Sequence, residues 1–130
     1  MYGVKLPSVG SHISATLGTI RPAMASRRTD SVDAVSERLR LIRIAYGIAQ
    51  GREREMSQAE FAGLTDISKQ AWNNAETGDS RIGLDNAMKV TRRTGVPLDY
   101  IYFGNLAGLP HVMAVAIEEL QKAREKRKIA

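Results

Sequence analysis

The chain has no cysteine, which excludes disulfides, thiolate metal sites and cysteine nucleophiles together. Its two histidines, His12 and His111, stand at opposite ends of the sequence, too few and too far apart to build a metal site or a proton relay. No apolar run approaches the ~18 residues that would cross a bilayer, so no membrane span is expected. The short signatures of hydrolytic and nucleotide chemistry are missing as well: there is no GxSxG, no P-loop, no HExxH and no Cys–His pair. Glu53 with Glu55, and Glu118 with Glu119, are carboxylate pairs only in sequence and lie in hydrophilic stretches, where they read as solvated. No enzyme, cofactor or metal is expected.

What is present points to a single domain. At 130 residues and 43% hydrophobic, the chain can hold one core of ~100 residues with extensions. A net charge of +5 favours an anionic partner, nucleic acid first. The excess is unevenly placed. Residues 1–32 carry Lys5, Arg21, Arg27 and Arg28 against Asp30, a net +3. Residues 33–109 carry ten basic and ten acidic side chains. Residues 110–130 carry Lys122, Arg124, Lys126, Arg127 and Lys128 against Glu118, Glu119 and Glu125, a net +2. Any nucleic-acid role for the middle segment therefore rests on individually placed residues.

Residues 1–32 read as a flexible basic N-terminal extension. Gly, Ser, Thr and Pro are dense there, and the alternation of Ile13, Ala15 and Leu17 is too brief for a strand. Having no acid before Asp30 gives this stretch a superficial likeness to a transit peptide, but it shows neither an amphipathic stripe nor the apolar stretch of a signal peptide. Met24 offers an alternative start, beginning MASRRTDSVDAVSERL.

From Asp33 the pattern becomes helical. Val35, Leu39, Ile42, Tyr46 and Ala49 recur at steps of four and three, one face of a first helix that Asp33 or Asp30 can cap. Ser57 with Glu60 has the form of a capping box at the head of a second helix carrying Phe61, Ala62 and Leu64. After the turn Thr65-Asp66-Ile67-Ser68, Ser68 can cap a third helix that runs to Glu76 and stops at Gly78. A fourth helix spans Leu84 to Thr94, with Leu84, Ala87, Met88 and Val90 as its apolar set. Pro97 opens a fifth, carrying Leu98, Ile101 and Tyr102. Past Pro110, Met113, Ile117 and Leu120 mark a last helix that ends in a charged run. No strand pair is visible after residue 33, so the fold class is all-α.

Two short helices joined by a four-residue turn, SQAEFAGLTDISKQAWNNAE, make a helix-turn-helix pattern. Residues 35–105 resemble the Cro and phage-repressor-like helix-turn-helix family, also called the xenobiotic-response-element family. The matching pieces are SERLR at 36–40, MSQAEFA at 56–62, ISKQAWNNAETG at 67–78 and LDNAMKVTRRTGVPLDYIYFGN at 84–105, in the family's order of five helices.

On the third helix, Trp72 and Ala75 lie three apart beside Phe61 and Leu64, so Trp72 reads as a core residue rather than a base-stacking one. Lys69, Gln70, Asn73 and Asn74 take the outward positions. They suit base edges, since Gln or Asn can pair doubly with adenine and Lys can donate to guanine. A merely solvated polar face is the plainer reading. The resemblance implies that Lys69, Gln70 and Asn74 read bases, with Asn73 as a fourth. It also implies a phosphate contact by Gln58 at the head of the second helix, where free N–H groups favour an anion. Ser68 can reach a phosphate or serve only as a cap. Arg81 lies in the loop where family members touch the backbone, and reads equally as a solvated charge.

The chain departs from the pattern in two places. About eight extra residues, Ile48 to Glu55, precede the second helix; either the first helix is two turns longer or a charged loop bulges there. Asp66 stands where the turn usually has glycine, and Asp tolerates left-handed geometry. The expected organisation is a flexible extension over 1–32, a helix-turn-helix domain over 33–109 and a basic C-terminal helix over 110–130. The resemblance implies a sequence-specific double-stranded DNA-binding transcriptional repressor of bacterial or phage type, cytoplasmic, associated with the nucleoid and homodimeric, because one short helix reads too few base pairs alone. The alternative is a protein-interaction module, such as an antitoxin or adaptor, in which the same fold binds a protein partner. An apolar patch outside the five helices would favour it, and Met113, Ile117 and Leu120 are its candidates, though they could equally close a homodimer.

Overall fold

A computed structural model describes residues 30–129, so residues 1–29 of the arm expected over 1–32 lie outside the described residues, while Val32 already belongs to the first helix. Six helices and no strand make up the described chain: α1 Val32–Ala49, α2 Gln58–Thr65, α3 Lys69–Thr77, α4 Leu84–Thr94, α5 Leu98–Phe103 and α6 His111–Ile129. The expected all-α architecture is what the chain adopts.

The first helix starts one cap away from the expected ones. Ser31, not Asp30 or Asp33, accepts the N–H of Ala34 in its hydroxyl oxygen, three residues on, as a cap requires. Asp33 instead sits inside the first turn, where a negative charge suits the helix dipole. Asp30 is taken up by an ion pair with Arg38. Val35, Leu39 and Ile42 are fully buried, with Tyr46 and Ala49 packed at the edge of the core. Leu41 and Ile44, off that stripe, are buried too, because α1 packs against α3, α5 and α6 and is covered on more than one side.

The extra residues form the charged loop rather than a longer helix. The helix ends at the Gln50 cap, Gly51 takes a left-handed φ of 79°, and the chain returns so that Met56 is buried against Gly47. A Cβ on Gly47 would lie 3.2 Å from that of Met56, so the absence of a side chain there lets the returning segment lie close on the helix.

The remaining boundaries follow their caps. Ser57 and Ser68 accept the N–H groups of Glu60 and Ala71, and Gly78, Gly95 and Gly104 close α3, α4 and α5 in left-handed geometry. Pro97 is the cap residue of α5, one position ahead of the first turn. Gly104 is doubly constrained, since a Cβ there would stand 2.8 Å from Arg38 Nη2 in addition to the strain of φ 76°. Arg38 uses that space to donate to the Ile101 carbonyl, and Asp30 donates its N–H to Tyr102. Together these bonds fasten the end of α5 to the start of α1.

The core is one cluster centred on Trp72, Tyr100, Phe61, Leu39 and Ile42. Met113, Ala116 and Ile117 of α6 belong to it, with Leu120 packed at its margin. The apolar set expected of α4 divides: Ala87 and Val90 face inward with Thr94, whereas Leu84 and Met88 point out, 57% and 40% exposed. Only one side of α4 meets α2 and α5, and a helix rotates residues 84 and 88 away from the side that 87, 90 and 94 occupy.

Candidate nucleic-acid interface

The pair α2–α3 is assembled from the turn outward. Thr65 bonds back to the Phe61 and Ala62 carbonyls, Asp66 takes the left-handed conformation at φ 62° and ψ 40°, and Ile67 donates its N–H to Ala62. Ala62 is buried where the two helices approach, as its small side chain predicts. Two cations from α4 then cap carbonyls at the end of α2: Lys89 Nζ donates to Asp66 O at 2.8 Å and Arg93 Nε to Leu64 O at 3.0 Å. These two residues went unnoticed in the sequence, where they belong only to a basic run. Donation by cations to the carbonyl end of a helix is favoured by its dipole.

The inward side of α3 is fixed by burial. Trp72 is 0% exposed and its ring lies 4.8 Å from that of Phe61, so it is a core residue as its spacing predicts. Ala75 is buried beside it. The side chain of Glu76 is buried as well, though the residue as a whole is only partly so, and this the sequence did not reveal. Its carboxylate receives Arg43 of α1 at 2.6 and 3.0 Å, and Arg43 also donates to the Met56 carbonyl. Burial works against the Arg43 charge, but Glu76, together with Glu55, outweighs it and raises the guanidinium above its ordinary value. The spacing alone held one hint, since Glu76 follows Trp72 by four residues and Ala75 by one, next to the inward positions of α3.

The outward side of α3 carries Lys69, Gln70, Asn73 and Asn74 within an arc of about 140°. Lys69 and Gln70 are exposed, and Asn73 and Asn74 half-buried. Gln70 Nε2 stands 3.5 Å from Asn74 Oδ1, one turn apart, a contact loose enough to be exchanged for another partner. The four are thus brought to one surface. Ser68 lies at its head, its oxygen accepting from Ala71 and its hydrogen left to donate.

Gln58 is half-buried in the first turn of α2. Beside it Glu60 turns its carboxylate to Arg52, whose hydrogen bond holds that acid below the usual carboxylate range. Arg81 is exposed in the loop after α3, with Nη1 donating to the Asp30 carbonyl at 2.7 Å, so it also ties this loop to the head of α1. The interface therefore gathers one Lys, one Arg and five uncharged polar side chains from α2, the turn after it, α3 and the following loop.

Residues 48–101 match the family model described as helix-turn-helix. The match supports a DNA-binding helix-turn-helix domain of the Cro and repressor-like kind over this segment, which is under half of the chain. Neither a curated protein nor a solved structure matches the chain. The matched helix-turn-helix segment takes in the last two residues of α1, the charged loop, α2 to α4 and most of α5. All seven residues expected at the interface fall inside it. Among the described residues, no helix is long and apolar enough to cross a membrane.

Proposed function

We propose that the protein is a sequence-specific transcriptional repressor that inserts α3 into the major groove of double-stranded DNA and acts as a homodimer. The observation that carries this reading is the division of α3 into two sides. Trp72, Ala75 and Glu76 are locked into the interior, while Lys69, Gln70, Asn73 and Asn74 stand together on the open side of a helix whose orientation is thereby fixed. Lys69, Gln70, Asn73 and Asn74 are the base readers. Gln58, Ser68 and Arg81 hold phosphates and set the register of the helix in the groove. The chain is organised as a basic arm that ends ahead of Asp30, the DNA-reading domain from Asp30 to residue 109 and a basic helix over 110–130, with Asp30 and Ser31 fastened to the domain. The arm and the last helix carry the charge excess and supply the salt-dependent part of the affinity.

The competing reading, a protein-interaction module such as an antitoxin or adaptor, drew on Met113, Ile117 and Leu120 as an unpartnered patch. That stripe is packed into or against the core. Selection of bound duplexes from a random DNA library separates the two readings. An enriched inverted repeat is the expected outcome, each half read by one copy. Absence of any enriched sequence would overturn the proposal in favour of a protein partner.

A further inference from the structure

Among the described residues, one side of α4 is left without a partner. Ala87, Val90 and Thr94 are buried, and the other side presents Leu84 and Met88 one turn apart, with Asp85 and Arg92 exposed on the same strip. At 100° per residue, these four occupy about 100° of the helix surface. Among the described residues neither Asp85 nor Arg92 takes part in an ion pair within the chain.

We infer that this strip is where a second copy of the chain docks, α4 lying antiparallel on α4 about a two-fold axis that passes beside Met88. The inference rests on the homodimeric reading above and names its surface. A two-fold interface must be complementary to itself: if one residue meets another, the reverse contact is made too. Asp85 and Arg92 lie at equal distances from the midpoint between Met88 and Lys89. Antiparallel packing about that midpoint sets Asp85 opposite Arg92 of the partner subunit, twice, and brings the two Met88 side chains together between the two Leu84. The strip carries Asp85 towards one end, Arg92 at the other and Met88 between them, with Leu84 beside the acidic end. That arrangement matches a reversed copy of itself, and it suits neither a uniformly anionic surface such as DNA nor a uniformly charged protein. Four side chains per copy fall well short of the ~800 Å² per partner that stable dimers bury. The dimer is therefore weak in free solution and strengthened when two half-sites on one duplex hold the copies together.

Sedimentation equilibrium of the full chain over a range of concentrations tests this, with thermal melting to verify that each variant folds. Asp85→Arg and Arg92→Asp should each raise the dimer dissociation constant about tenfold by making two repulsive contacts, and the double exchange Asp85→Arg with Arg92→Asp should restore it. Leu84→Ser with Met88→Ser should weaken the dimer without rescue by the exchange. A parent dimer indifferent to all of these variants would place the interface elsewhere and leave the homodimer standing. A parent that stays monomeric at every concentration, alone and on DNA, would remove the homodimer itself.

Discussion

Arg43 of α1 and Glu76 of α3 face each other through two hydrogen bonds with their side chains only 6% and 3% exposed. They are the one ion pair among the described residues with both members buried. Such a pair adds little net stability over apolar replacements, but it dictates where two helices sit relative to each other. Here the helix it fixes is the one whose open side carries the proposed base readers.

Removing one partner should be far worse than removing both. Arg43→Met or Glu76→Leu alone leaves an uncompensated buried charge and should cost ~3–5 kcal/mol. The double variant should regain most of that loss. Urea unfolding of the four proteins measures the coupling, and a double variant as unstable as the two single losses combined would contradict a buried pair.

The open side of α3 makes a separate prediction about readout. Gln70→Ala or Asn74→Ala should lower affinity for the selected site by ~1–3 kcal/mol and leave binding to random duplex nearly unchanged. Titration of both DNA types with each variant is the check. Equal losses on the two would show that these amides touch the backbone rather than bases.

How much of this was open to sequence reading varies by kind of signal. The boundaries of α4 and the Ser57 and Ser68 caps follow from local rules, because a cap and a left-handed Gly act within a few residues of each other. The inward direction of Trp72 was legible from its spacing to Ala75. Four features were not. Ser31 displaced two acids as the cap of α1, since Asp30 is claimed by Arg38 and Asp33 falls two positions too late. Leu84 and Met88 count as core residues by composition, and only the position of α2 and α5 shows which side of α4 is covered. Arg43 with Glu76 joins positions far apart in the chain, as do Lys89 and Arg93 with the turn after α2. Charges in a sequence read as solvated until a distant partner buries them. The assignment of base readers rests on residue type and orientation, which the outward placement of all four residues supports.

Trp72 should behave as a packing residue. Trp72→Ala should destabilise the domain by ~3–5 kcal/mol, as for other buried large aromatics. Trp72→Phe should be much milder, because the indole Nε1–H has no acceptor among the described residues and its removal breaks no hydrogen bond there. Calorimetric melting of both variants distinguishes this from a surface role, in which neither would lower the transition and only DNA binding would suffer.

Stability should also fall in alkali. Loss of solvation pushes the buried Tyr100 hydroxyl up to about 12, against a smaller downward pull from Arg38. An unfolded chain ionises its tyrosines near the ordinary value of 10. Between these values the unfolded state has given up a proton that the folded state keeps. The stabilisation is therefore complete below pH 10 and is lost as pH rises toward 12, by up to about 1.4 kcal/mol per pH unit. Tyr100→Phe should flatten the slope while leaving neutral-pH stability nearly unchanged, since the hydroxyl has no hydrogen-bond partner among the described residues. Any slope that remains belongs in part to Tyr102, which its own burial also raises. Unfolding curves at pH 8 and pH 11 for parent and variant decide it.

Trp72 is also the only tryptophan in the chain, and it sits against Phe61 between the two helices of the motif. Its emission is therefore a built-in reporter of that junction. With no second indole to dilute the signal and none among the proposed base-reading residues, a spectral change on adding DNA would record a shift in how α2 and α3 seat against each other, and not the stacking of a ring on a base. The protein can be followed without a label, and steady emission during binding would mean that the motif meets its duplex as a preformed rigid body.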